Sequence, residues 1–192
     1  MAMPAESAKR WTAAEARRLN EENPLPWPHY EVIDGELLVS PAPRYLHQRA
    51  VHRLLLLVGA YLESRSAFEL LPGPADIELE PDSTLSPDVF VFPRIEGRRV
   101  RHWSEVTSLV MVAEVLSPST ARNDRVKKRD YFMRNDVAEY WIVDLDARVV
   151  ERWRRGETRP EILSNELAWQ PDEASAPLVI NLIDYFAHVC DD

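Results

Sequence analysis

The sequence predicts a mixed β-sheet with helices on both faces, in the α/β to α+β range, on three observations. Helical and extended signals interleave along the chain rather than separating into two halves. The runs Val89–Phe92 and Val110–Ala113 are wholly apolar and short, as buried strands are. Residues 44–64 instead place Leu46, Ala50, Val51, Leu54, Leu55, Val58, Tyr61 and Leu62 at helical spacing, as a core helix packed on a sheet requires.

Taken in order, residues 7–22 suit a short amphipathic helix, with Trp11, Ala14 and Leu19 loosely on one side. Pro24, Pro26 and Pro28 cannot continue it, because each removes a backbone donor and fixes φ. Residues 1–28 are therefore expected to be a helix and a rigid connector, and residues 29–192 a single domain. Tyr30 to Pro43 reads as a hairpin turning at Asp34-Gly35. After the helix over 44–64, in which Gly59 would permit close packing, residues 68–80 read as a strand or hairpin broken at Pro72-Gly73-Pro74. Asp76, Glu78 and Glu80 alternate with apolar residues, so they would share one face, solvated or turned toward a site. The strands holding Val89–Phe92 and Val110–Ala113 follow, separated by a basic loop. A helix is expected over 121–135, its start capped by Ser and Thr of 117–120. Strands are expected over 139–144, 149–153 and 160–167, then a loop over 170–177, then a final helix over 178–189.

Composition narrows the function classes. Of 192 residues, 45% are hydrophobic, which fits a globular protein with a sizeable core. The longest aliphatic run is Leu54 to Val58, far below the roughly 20 residues that span a bilayer, and the N-terminus lacks the apolar centre of a signal peptide. No membrane association and a cytoplasmic location are the expectations. The single cysteine, Cys190, leaves no intramolecular disulfide and no multi-cysteine zinc site. A net charge of −9 argues against non-specific nucleic-acid binding by the whole surface. Positive charge nevertheless concentrates in Arg94–Arg101 and Arg122–Arg134.

The chemistry is expected at two acids. Asp88 precedes the first apolar strand and Glu114 stands where the second runs out. Carboxylates on neighbouring strands suit a hard divalent cation. The next element is a helix rich in Lys and Arg, and a nearby cation could orient an attacking water.

The combination Pro87-Asp88 before an apolar strand, then AEVLSPST, then D-x-x-x-K at Asp124–Lys128, then VAEYWIVD, resembles the Uma-type family of restriction-endonuclease-like proteins. That family belongs to the wider PD-(D/E)xK nuclease superfamily. YEVIDGELLVSPAP followed by a helix bearing His47 resembles the family's opening hairpin. The resemblance covers roughly residues 29–155 and is looser to the end.

The resemblance implies a restriction-endonuclease-like fold, a central mixed sheet flanked by helices, and a Mg²⁺- or Mn²⁺-dependent endonuclease that hydrolyses DNA phosphodiesters to leave a 5′-phosphate and a 3′-hydroxyl. Asp88, Glu114 and the backbone carbonyl of Val115 would hold the metal. The usual superfamily lysine position, two after the acid, is Leu116 here; the implied lysine is instead Lys128, with Lys127 as the alternative. Asp124 would steady Lys128 from the preceding turn of the helix. Glu31 is either an accessory acid or a polar residue on the outer face of the hairpin. His47 is either a phosphate contact near a helix N-terminus or a structural histidine. Trp141 is expected in the core. The two basic segments would supply phosphate contacts, and a homodimer would suit the cutting of both strands. Two departures from the family pattern stand out: Phe132 replaces a usual Tyr, with Tyr131 beside it, and Asp136 replaces a usual Gly. The competing reading is a catalytically silent nuclease fold serving as a binding or assembly module, because fold alone does not fix function.

Overall fold

The computed structural model describes residues 9–173 and 176–191. Its centre is a six-stranded sheet in the order β3-β4-β5-β6-β7-β8, made of β3 (Phe68–Pro72), β4 (Val89–Pro93), β5 (Met111–Val115), β6 (Glu139–Asp144), β7 (Val149–Arg154) and β8 (Glu161–Leu163). Only β5 and β6 run parallel; the other neighbours are antiparallel. The parallel pair needs a crossover, which the helical stretch between them supplies.

The opening hairpin, β1 (His29–Ile33) and β2 (Glu36–Ser40), forms a separate two-stranded sheet. Asp34 and Gly35 both take positive φ, the backbone that a tight two-residue hairpin turn demands. Before it lies α1 (Ala13–Glu22). It starts at Ala13 rather than at residue 7, because Thr12 and Glu15 form a capping box; residues 7 and 8 lie outside the described residues. Asn20 ties α1 to the hairpin by bonding both the N–H and the C=O of Tyr30.

The long helix is α2 (Tyr45–Leu62). Its buried face, Ala50, Val51, Leu54, Val58 and Leu62, covers one side of the sheet together with α4 (Leu182–Cys190). A Cβ placed on Gly59 would meet Leu70 at an ordinary 3.6 Å, so close packing does not require glycine there. The opposite side of the sheet, carrying Phe90, Phe92, Val112, Tyr140 and Ile142, is covered by the hairpin and by α3 (Arg129–Arg134).

Three expected elements differ. The single strand expected over 160–167 is two, β8 in the central sheet and β9 (Glu166–Trp169) in a separate two-stranded sheet. Residues 73–88 are irregular beyond isolated bridges at Thr84 and Leu85, so Asp76, Glu78 and Glu80 do not form a strand face. Glu78 pairs with Arg17 and Glu80 with Arg134, away from the carboxylate site. Residues 178–181 are a strand, not the first turn of the last helix. This β10 (Leu178–Asn181) pairs with β9 (Glu166–Trp169), and Asn181 then caps α4 by accepting the Asp184 N–H.

The expected helix over 121–135 is continuous but not uniform. Asn123–Lys128 is π-helical and leads directly into α3. The Asp124 carbonyl accepts both the Arg129 N–H, five residues on, and the buried Tyr140 hydroxyl at 3.0 Å. A side chain entering the ladder in this way is a recognised cause of local widening, and single π-turns concentrate at functional sites.

The two departures from the family pattern have physical readings. Asp136 has φ +58° and follows the C-cap Asn135. The Val137 N–H bonds the Phe132 carbonyl and the Asp136 N–H bonds that of Met133. That is a Schellman closure, whose left-handed position normally selects Gly. Phe132 is fully buried against Tyr140, with ring centroids 5.3 Å apart. Tyr131 does not stand in for a hydroxyl at the site, because its OH accepts the Leu79 N–H on the far side of α3.

Candidate active site

The pairing of β4 with β5 places the two acids. Val89 lies opposite Ala113 in the last pair of that ladder; one step further along the same register sets Asp88 opposite Glu114. Directly opposed residues project from the same face of a sheet, and alternation along each strand makes this the face of Phe90 and Val112. Glu114 is not beyond the strand end. On its other side β5 continues to pair with β6 as far as Val115. The two acids therefore sit at a step in the sheet, where β4 has stopped and β6 has not.

Val115 finishes this geometry. Its N–H donates to Asp88 Oδ2 at 2.8 Å. In a strand the N–H and C=O of one residue point to the same side, so the Val115 carbonyl also faces the Asp88 side.

Lys128 enters from the last position of the π-turn. Its Nζ lies 2.9 Å from Glu114 Oε1, 3.0 Å from Glu31 Oε1 and 3.8 Å from Asp124 Oδ1. Lys127 points elsewhere, to Glu36. Glu31 is not on an outer face. It is 2% exposed, and it also accepts the Ser86 N–H at 2.8 Å and the Ser40 hydroxyl at 3.2 Å. His47, in the first turn of α2, sets its Nε2 3.0 Å from Asp88 Oδ2 while its Nδ1 is buried without a partner. Asp88, Glu114, Lys128, Glu31, His47 and Asp124 all line one cavity of about 440 Å³.

Charge in this cluster is unbalanced. Glu31, Asp88, Glu114 and Asp124 face Lys128 and His47. Burial pushes the Glu114 carboxyl well above its usual range; Lys128 opposes this, and Asp88, Asp124 and Glu31 add to it. Asp124 is raised to about 6, first by burial and against the pull of Lys128. Burial works against the Lys128 charge, but Glu114, Glu31, Asp124 and Asp88 outweigh it and hold the ammonium well above the ordinary lysine value. Asp88 moves the other way. Burial would raise it, yet the His47 hydrogen bond and charge, the Val115 N–H and Lys128 leave it below the usual carboxylate range. His47 is correspondingly raised, its bond to Asp88 overcoming burial.

The arrangement has the donors a hard cation needs. Two opposed carboxylates and a backbone carbonyl converge in a pocket with surplus negative charge. Among the described residues no three His, Cys, Asp or Glu side chains form a ready cage. Mg²⁺ commonly uses one or two carboxylates and completes its shell with water and phosphate.

Sequence reasoning passed over two contributors. Gly73, read as a strand breaker, lies against the backbone that leads into Asp88: its N–H donates to the Asp88 carbonyl at 3.1 Å, and an added Cβ would stand 2.6 Å from the Pro87 oxygen. Ser86 links Glu31 to the Gly73–Ala75 segment, since its Oγ accepts the Ala75 N–H at 2.9 Å. Ser86 immediately precedes Pro87-Asp88, and that adjacency was the available signal; Gly73 reaches the pair only through the fold.

The expected phosphate-contacting segments are placed less favourably. Residues 94–101 follow the far end of β4, on the order of 20 Å from Asp88 at about 3.3 Å per residue. Arg94 and Arg99 pair with Glu69, and Arg98 with Glu105. In 122–134, Arg125 pairs with Asp144 and Glu151, Arg129 with Asp130, and Arg134 with Asp34 and Glu80.

A mixed sheet flanked by helices, with opposed acids at a strand end and a lysine from the crossover helix, defines a protein of the restriction-endonuclease-like fold. Residues 14–182 match the sequence profile of the Uma2 family, described as "putative restriction endonuclease", and the chain belongs to that family. A crystal structure described as "a putative nuclease belonging to DUF820 from Anabaena variabilis ATCC 29413" has the same fold, with a TM-score of 0.67 at 17% identity, covering 93% of this chain and 98% of that one. No curated protein matches the chain. No helix among the described residues is long and apolar enough to cross a membrane.

Proposed function

We propose that this protein is a divalent-metal-dependent nuclease that hydrolyses DNA phosphodiester bonds. Asp88, Glu114 and the Val115 carbonyl would hold Mg²⁺ or Mn²⁺. The observation that carries the proposal is the register-opposed pair Asp88 and Glu114 with the Lys128 ammonium 2.9 Å from Glu114. Membership of the Uma2 family supports it.

The metal, when bound, supplies Lewis-acid polarisation of the scissile phosphate and a more acidic water. The chain's own residues do the rest. Lys128 Nζ lies within 3.0 Å of Glu114 and Glu31, and these neighbouring acids favour its ammonium form. In this role it is a hydrogen-bond donor and a positive charge. It orients the attacking water or meets the charge that develops on the phosphate, a preorganised electrostatic role. Glu31, from the hairpin strand β1, holds Lys128 at 3.0 Å. His47 keeps Asp88 ionised and in place through the 3.0 Å bond.

The test combines binding and cleavage. Calorimetric titration with Mn²⁺ should show one specific site that Glu114→Ala abolishes. DNA oligonucleotides should be cut in Mg²⁺ or Mn²⁺ and not in EDTA, and Lys128→Ala should lose cleavage. Metal bound without cleavage of any DNA tested would replace this reading with a silent nuclease fold; no metal bound, even with DNA present, would remove the site assignment.

A further inference from the structure

We infer that the site receives one unpaired nucleotide of a single-stranded nucleic acid, its base stacked against Trp27, rather than an intact duplex. The inference rests on the nuclease reading for its chemistry and adds the substrate class.

Depth is the first argument. Glu114 is 3% exposed and Lys128 5%, so the reacting groups form the floor of a recess. The walls come from Trp27 and His29, the connector from β2 to α2 at Ser40–Arg44, Gly73-Pro74, and Ser117–Thr120. Its volume of about 440 Å³ is that of a site enclosing one small ligand. A duplex is a stiff convex cylinder with a persistence length of about 50 nm; its phosphates cannot follow a recess inward. An unpaired nucleotide can, because its base and backbone are free to splay.

The wall chemistry is the second argument. Trp27 lines the cavity, partly buried, and packs in a T-shaped contact with His29, with centroids 6.1 Å apart at 71°. Its place in the lining and its partial exposure open part of the indole to the recess. Aromatic faces are the usual platform for unpaired bases because every base has a π-face.

Distribution of positive charge is the third. Duplex binders draw most of their affinity from many phosphate contacts. Here the cations of both basic segments, Lys128 included, are largely tied to carboxylates, His47 is bonded to Asp88, and the exposed cation lining the recess is Arg44. So sparse a set suits a phosphate or two of one strand rather than the many contacts of a duplex. A single strand also needs only one active site to be cut.

The experiment separates binding from cleavage, using the full chain. Fluorescence anisotropy with a 5′-fluorescein 12-nucleotide single strand and its matching duplex, in Ca²⁺, should show the single strand binding at least about tenfold tighter. Trp27→Ala should lose about tenfold in single-strand affinity, in the range of one lost base stack. Trp27→Phe should recover most of it, which excludes misfolding as the cause. Equal or tighter duplex binding, no binding of the single strand, or a Trp27→Ala variant that binds the single strand unchanged would each overturn the inference. Cleavage in Mn²⁺ reads the parent proposal independently. Preferential, Trp27-dependent binding with no cleavage keeps the substrate class and removes the nuclease chemistry; duplex cut and bound as well as single strand does the reverse.

Discussion

Lys128 Nζ lies 2.9 Å from Glu114 Oε1, although one comes from a π-helical turn and the other from the strand before it. The position two residues after Glu114 is Leu116, and the ammonium comes instead from the helical crossover packed on the sheet. Removing that cation leaves Glu114 and Glu31 buried beside each other without it. Lys128→Met should destabilise the protein by about 3–5 kcal/mol, the cost of breaking a buried pair from one side. Adding Glu114→Gln should restore part of that loss. Chemical unfolding of the two single variants and the double variant measures the coupling; additive losses would show that the pair does not interact.

Asp124 gives a signed pH dependence. Its folded pKa, about 6, lies above the ordinary value of 3.8. The folded state therefore holds a proton that the unfolded state has already released. Stability attached to this group is full below pH 4, falls as pH rises toward 6 and stays lost above it, by at most about 3 kcal/mol. Asp88, shifted down, acts oppositely at lower pH, so the useful quantity is a difference. Wild-type stability minus that of Asp124→Asn, from urea unfolding in EDTA at pH 4 to 7, should decline with pH. A flat difference would contradict the assignment.

Gly73→Ala should act on Asp88 without touching the site's charges. The added Cβ meets the Pro87 oxygen at 2.6 Å, and a backbone atom cannot swing aside. A stability loss of about 1–3 kcal/mol is expected, with cleavage down tenfold or more, because small displacements of catalytic groups are costly. Thermal melting and cleavage rates check both.

Asp136→Gly should stabilise. The residue closes a Schellman turn at φ +58°, where a Cβ is unfavourable and Gly is not. Its ion pair with Arg155, at 3.9 Å between exposed side chains, offers little in return. A gain of about 0.5–1 kcal/mol is expected, read as a raised urea midpoint with cleavage unchanged. A loss would mean that Asp136 makes a favourable interaction that outweighs its backbone strain.

Much of this molecule is legible in one dimension because its signals are local. Asp34-Gly35 names a turn type, the spacing from Leu46 to Leu62 names a helix face, and the four-residue apolar runs after Asp88 and before Glu114 name buried strands. These depend on neighbours a few residues away, and the structure keeps them. Errors occur where local preference was close to balanced. Leu178–Asn181 is apolar enough for either state, and pairing with β9 settled it. Asp76, Glu78 and Glu80 alternate like a strand, yet among the described residues this stretch makes only an isolated bridge, Ile77 to Leu85.

The sequence by itself determined most of the elements, their order and the acids at the ends of two apolar runs, since periodicity and turn chemistry are short-range properties. Only the tertiary structure decided what those acids meet. The register of β4 on β5 sets Asp88 across from Glu114. The π-turn turns Lys128 inward while Lys127 reaches Glu36. Packing of a separate hairpin makes Glu31 a buried partner of that lysine. Ion pairs with distant carboxylates quiet the two basic segments. Each is a long-range pairing whose energy depends on burial and distance, and neither quantity is written in the order of residues along the chain.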